Sequence, residues 1–195
     1  MQIILYDTEF TAWEGSVQHN WRRPNEHKEI IQLSAVKLQI NRSEIKILEQ
    51  SHNFIQPSIN KTLSGYIKNL TGIEQSQVDK GLTNQQLFDE LFLFSNNGSI
   101  PFYSWGNDWH VLNETAQINQ LDISWVKSYD LCPLFKSTGV PDHFSSGTLY
   151  QFFGLPLNLH EHNAVDDTIS LTESLKHLHK KSSEQVHSFF KPQPA

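Results

Sequence analysis

Apolar and polar positions divide the chain into strand-like runs and helix-like stripes. Residues 2–7 are a short apolar run of β-type residues, the pattern of a buried strand. Residues 29–38 (EIIQLSAVKL) and 44–55 (EIKILEQSHNFI) read as two further strands, and Asn41 with Arg42 between them predicts a hairpin. Beyond Pro57 the period changes. Residues 63–70 are helical with a break at Gly72, residues 74–81 (EQSQVDKG) make a turn, and residues 84–94 are helical again. A fourth strand is expected over 100–105, closed by Gly106, then a helix over 108–117 and a fifth strand over 125–131. Helices are expected over 147–153 and 163–178. The chain after Lys180, ending in KPQPA, reads as a frayed tail, residues 181–195. Three strands followed by helices alternating with strands predict an α/β fold, a mixed five-stranded sheet with helices on its faces.

The 195 residues suit a single domain, read as 1–180, with no internal repeat and no low-complexity segment. Residues 10–28 (FTAWEGSVQHNWRRPNEHK) stand between the first two strands. They are too long for a tight turn and too rich in Trp, Arg and His for a bland linker. No run of about 18 apolar residues is present, so no membrane span is expected. The start, MQIILYDTEF, has neither a basic leader nor a small-residue cleavage site, which argues against a signal peptide. One cysteine, Cys132, excludes a disulfide framework and a cysteine-based zinc site; the expected setting is reducing and cytoplasmic.

The formal net charge of −6 speaks against a nucleic-acid binder, because phosphate contacts need Lys and Arg. The objection weakens if carboxylates cluster around divalent cations, whose charge the sequence omits. Candidate carboxylates stand in three places. Asp7 and Glu9 are two apart at the end of the first strand, so they share a face; the alternative for Glu9 is a solvated loop residue. Asp108 opens a helix just after a strand ends at Trp105-Gly106, where open α/β sheets place ligands; an N-cap role for Asn107 or Asp108 is the plain alternative. Asp167 shares a helical stripe with Ala164, Thr168, Leu171, Leu175 and Leu178, whereas Asp166, Ser170, Glu173 and His177 form a polar stripe facing water. An inward carboxylate is costly unless paired or metal-bound, and a salt bridge to a buried Lys or Arg is the competing account. His162 lies near the start of that helix, where a cap or surface role is common.

Together these residues resemble the DEDD exonucleases of the DnaQ-like class, in the branch that uses a histidine. Asp7-Thr8-Glu9 is similar to the family's first block, Asp108 with Leu112 to the second, and His162-x-Ala164-x-x-Asp167 to the third. The residues 29–38, the stretch ending Leu70-Thr71-Gly72-Ile73 and the strand carrying Asp130 resemble further parts of the family. The likeness runs from about Gln2 to Leu178 and is nearest the Eri-type, RNA-trimming branch. The resemblance implies an RNase H-like sheet and 3′–5′ removal of nucleotides from a nucleic acid with a free 3′ end, single-stranded RNA or DNA, with two Mg²⁺ or Mn²⁺ ions. It implies that Asp7, Glu9 and Asp167 hold the first ion and Asp108 supports the second, mostly through water. His162 then removes a proton from the attacking water, its unperturbed pKa of about 6.5 suiting that task. Thr8, Phe10, Thr11, Leu70 and Ile73 are expected to bracket the terminal nucleoside, and Trp13, Trp21, Arg22 and Arg23 are further candidates in the long loop. The competing functional reading is a non-catalytic nucleic-acid or protein interaction module that retains the fold.

Overall fold

The computed structural model describes residues 1–106 and 108–191. Five strands, β1 (Gln2–Phe10), β2 (Ile30–Ile40), β3 (Ile45–Phe54), β4 (Phe102–Ser104) and β5 (Ser128–Asp130), form one sheet in the order β3-β2-β1-β4-β5. β1, β2 and β3 pair antiparallel, while β4 and β5 run parallel to β1. The mixed α/β sheet expected from the sequence is therefore present. β1 continues through Phe10 instead of ending at Asp7, which makes Glu9 a strand residue and removes its reading as a solvated loop.

The helices are α1 (Ser16–His19), α2 (Gly65–Thr71), α3 (Gln75–Val78), α4 (Asn84–Phe94), α5 (Asp108–Ile118), α6 (Cys132–Lys136), α7 (Leu149–Phe152), α8 (Ala164–Lys181) and α9 (Ser183–Phe190). Period-2 alternation on β1 divides the core. Ile3 and Leu5 join residues of α6, α8 and α9 on one face, while Ile4 and Tyr6 join residues of α4 and α5 on the other. A smaller cluster ties the long loop to α2 and α3 through Ala12, Ile31, Leu63, Ile67 and Ile73. Each cluster removes apolar surface from water, the main favourable term in folding.

Four expectations change. Residues 74–81 are not a simple turn: a reciprocal capping box between Glu74 and Gln77 starts the short α3. The long loop is not irregular throughout, since it contains α1. β4 and β5 are only three residues each, because Pro101 precedes one and Trp125 and Val126 leave the ladder to pack against the α4–α5 side. The tail is not frayed at its start. α9 buries Val186 and Phe190, and Phe190 meets Tyr103 edge-on at 4.8 Å, so apolar burial holds this segment. The rest of the expected tail, residues 192–195, and Asn107 lie outside the described residues. Among the described residues no helix is long and apolar enough to cross a membrane.

Candidate active site

The site begins with strand phase. Asp7 and Glu9 continue the face of β1 that carries Ile3 and Leu5, the face covered by α8. The register pairs Asp7 with Ser34 and Glu9 with Gln32 on β2. Those two buried polar residues hold the helix. Ser34 Oγ lies 2.7 Å from Thr168 Oγ1, and Gln32 Oε1 accepts the Ala164 amide at 3.0 Å. Asn163 caps α8, its Oδ1 accepting the Val165 amide at 3.1 Å. The helix is thereby fixed in rotation as well as position, and Asp167 points at β1. Carboxylate oxygens of Asp7, Glu9 and Asp167 lie within 4.8 Å of one another, all three residues buried.

Asp167 is seated against Gly147. A Cβ there would stand 2.4 Å from Asp167 Oδ1, so this loop position has room only for glycine. Ser146 Oγ donates to Asp167 Oδ2 at 3.3 Å, and Oδ1 is buried without a partner. Asp108, the first residue of α5, lines the same cleft and also buries an unpartnered oxygen, Oδ2. The turn before it is pinned from β5: Asp130 Oδ1 accepts the amides of Gly106 at 2.9 Å and Cys132 at 2.8 Å. Gly106 has φ +77°, a left-handed conformation that glycine adopts without a Cβ penalty.

Burial in close company raises all four carboxyl groups. For Asp7 burial is the main cause, reinforced by Asp108, Asp167 and Glu9, and the shift is large. Glu9 is pushed up to about 8 by burial and then by Asp167 and Asp108. Asp108 reaches about 8 through burial, opposed by the Thr8 backbone and reinforced by Asp167. Asp167 reaches about 7, again mainly through burial, with Ser146 opposing. Among the described residues none of the four takes part in a salt bridge; the buried Lys37 pairs with Glu49 instead. This removes the account in which a buried Lys or Arg neutralises Asp167. An all-oxygen donor set with orphaned oxygens on Asp167, Asp108 and Thr8 Oγ1 fits hard divalent cations, whose charge would replace the protons.

The cleft above these groups has a volume of about 310 Å³. His162 lines it and is exposed, with φ +62°. The other lining residues are apolar or aromatic, chiefly Phe10, Ala12, Trp21, Tyr66, Ile67, Leu70 and Trp105. The arrangement joins a carboxylate floor, a histidine at the rim and an apolar wall.

The family model described as Exonuclease (RNase_T) matches residues 4–175. The chain belongs to the Exonuclease family. Its enzyme class is that of a 3′–5′ exonuclease, a nuclease acting on nucleic acid. A curated relative, 3′–5′ exonuclease eri1 of Schizosaccharomyces pombe, is 26% identical over 215 aligned residues, which take in 94% of this chain and 69% of the relative. The 3′–5′ exonuclease Snipper of Drosophila melanogaster is 38% identical over 80 residues, 41% of this chain but 26% of its own length. Among solved structures, the nuclease domain of 3′hExo, a DEDDh family member bound to rAMP, superposes with a TM-score of 0.78 at 21% identity, covering 94% of both chains. Exonuclease I superposes with a TM-score of 0.74 at 13% identity, covering 97% of this chain and 43% of that one. At these identities the structures show a shared fold.

Within this exonuclease the structure brings Asp7, Glu9, Asp108, His162 and Asp167 to one cleft, together with Thr8, Phe10 and Leu70. It does not bring Thr11 or Ile73 there. Thr11 is buried, its hydroxyl donating to the His27 carbonyl and accepting the Glu29 amide at 3.0 Å, so it anchors the long loop. Ile73 is 2% exposed in the core beneath α2, because the left-handed Gly72 turns the chain inward after the helix. The polar stripe of α8 is also not solvated as expected. Ser170 is wholly buried and accepts the Tyr150 amide at 3.3 Å, because α7 packs there. Asp166 is partly buried and accepts the His160 amide at 2.8 Å, which ties down the segment carrying His162. Sequence reasoning missed Gln32, Ser34, Ser146 and Gly147. The first two carried a signal, polar residues on one face of an otherwise apolar strand; the loop pair carried none.

Proposed function

We propose that this exonuclease hydrolyses phosphodiester bonds one at a time at the 3′ end of single-stranded nucleic acid, RNA or DNA, releasing nucleoside 5′-monophosphates. The observation that carries the reading is the trio Asp7, Glu9 and Asp167, buried, mutually repelling and without a protein cation, at the floor of a cleft of about 310 Å³. That volume is at the low end for ligand pockets and suits one nucleotide. Asp7, Glu9 and Asp167 would hold one Mg²⁺ or Mn²⁺ ion, with Glu9 also facing the substrate, and Asp108 would support a second through water. Such a pair, when bound, supplies charge stabilisation for the attacking and leaving oxygens.

The chain's own residues do the rest. His162, at the exposed rim, accepts the proton of the attacking water on its imidazole. Asp166 and Asn163 hold the segment that presents it. Thr8, Phe10 and Leu70 border the terminal nucleoside, and the apolar wall excludes water from one side of the reacting phosphate. The catalytic unit takes in residues 1–180 with α9 as a buttress against Tyr103. A reducing, cytoplasmic setting accords with the free, buried Cys132.

The test is an end-labelled degradation assay on matched single-stranded RNA, single-stranded DNA and duplexes, with Mg²⁺, with Mn²⁺ and with excess chelator. A 5′-labelled strand is expected to yield a descending ladder that depends on the metal and slows when the 3′-hydroxyl is blocked. Release of the 5′ label as mononucleotide at the outset, or undiminished hydrolysis in chelator, overturns the proposal. Absence of hydrolysis on every strand, with binding retained, identifies a non-catalytic module instead.

A further inference from the structure

The long loop between β1 and β2 is built, not slack. Ser16 is buried; its hydroxyl accepts the Trp13 amide at 2.8 Å and donates to Glu26 at 3.2 Å. Arg23 donates to the Glu14 carbonyl at 2.8 Å and approaches Glu26 at 3.5 Å, so it braces the loop from within. Glu29, fully buried where the loop rejoins the sheet, accepts the amides of Ser58, Ile59 and Asn60. Inside this frame Asn20 and Trp21 are consecutive non-glycine residues in the left-handed region, with φ +50° and +53°. Backbone strain of this kind persists only where surrounding contacts enforce it, and it gathers at functional sites.

The strained turn delivers two apolar side chains to the catalytic cleft. Trp21 lines it, with its indole 5.6 Å from the Phe10 ring, its Nε1 donating to the Thr11 carbonyl at 2.9 Å and the Lys28 ammonium 4.4 Å from its ring centre. Val17 of α1 lines it too and is 68% exposed, a cost the loop has no packing reason to bear. Trp13, Arg22 and Arg23 are not among the cleft residues.

We infer that the lip formed by Val17 and Trp21 is a specificity-determining element that grips an unpaired base of the substrate strand beside the scissile phosphate. The inference rests on the exonuclease reading of the same cleft. An apolar aromatic lip binds any base through its face and edge, so it selects for single strands and not for sequence. A base already stacked and paired in a duplex is not free to enter it.

The test uses two oligonucleotides with Mn²⁺, one fully base-bearing and one whose last two 3′ nucleotides are abasic. The wild-type chain is expected to show a lower KM for the base-bearing strand. Trp21→Ala and Val17→Asp are each expected to erase most of that preference, a change of roughly 5- to 150-fold for Trp21→Ala, with KM for the abasic strand little changed. Trp21→Phe, which keeps an aromatic ring, is expected to retain most of it. Val17 is exposed, so its variant keeps the test meaningful if Trp21→Ala loosens the loop. Parallel losses on both strands, or no change in either variant, overturn the lip. Failure of 3′-first release in the labelled assay overturns the exonuclease reading, and anisotropy on the same two strands then still decides the lip.

Discussion

The floor and the lip of the cleft are built on opposite principles. The floor is polar, buried and carried by regular elements: Asp7 and Glu9 by strand alternation on β1, Asp167 by the inward stripe of α8. Its cost is electrostatic, paid in raised carboxyl pKa values. The lip is apolar and carried by an irregular loop whose cost is conformational, two left-handed residues in succession. The difference teaches that charge positions needing sub-ångström definition rest on paired strands and a locked helix, while recognition of a variable base rests on a braced loop.

The sharpest way to break this contrast is to remove charge from the floor. Asp167→Asn is expected to lower kcat by more than about a hundredfold, beyond what loss of an orienting group costs, in a Mn²⁺-saturated assay. Because it relieves repulsion with Asp7 and Glu9, it is also expected to raise Tm in metal-free buffer. A smaller effect follows from crowding the floor without changing its charge. Gly147→Ala puts a methyl group against Asp167 Oδ1, and displacement of that carboxylate is expected to cost on the order of 10- to 100-fold in kcat/KM.

Titration separates the two regions next. Folded carboxyl pKa values of about 7 to 8 exceed the unfolded values of about 4, so between these limits the native state holds more protons than the unfolded state. Stability of the metal-free protein is therefore fully present below pH about 4 and is lost as pH rises through 8. Tm is expected to fall by at least roughly 3 °C between pH 5.5 and 8.5 in chelator, and the fall is expected to vanish with saturating Mn²⁺, whose binding displaces those protons. The smallest effect belongs to Asp166→Asn. It weakens one bond to the His160 amide and leaves the floor intact, so kcat is expected to change by less than about tenfold, measured beside Asp167→Asn.

Much of the floor was legible in the sequence because periodicity places it. The i, i+2 relation of Asp7 and Glu9 and the stripe through Ala164, Asp167 and Leu171 both hold in the fold. The rest depends on partners far away in the chain. That Ser34 and Gln32 would clamp Thr168 and Ala164 requires the β1–β2 register and the seat of α8 together. Gly147 matters only because Asp167 arrives beside it from 20 residues on. Ile73 was misplaced because Gly72 reverses the chain after α2, and Ile67, one turn before Thr71, takes the cleft position. α9 went unread although Val186, Phe189 and Phe190 share one helical side; the polar residues around them masked a stripe only two turns long.

The central claim, that the buried carboxylates of β1 and α8 hold the cation on which hydrolysis depends, is tested most directly by Mn²⁺ calorimetry in two buffers of different ionisation enthalpy. The wild-type chain is expected to bind Mn²⁺ with net proton release at pH 7, since Glu9 and Asp108 stand at about 8 before the ion arrives. Asp167→Asn is expected to bind at least roughly tenfold more weakly and to release fewer protons. Equal affinity and equal proton release in the two proteins would contradict the account, and the ion would then belong to some other part of the molecule.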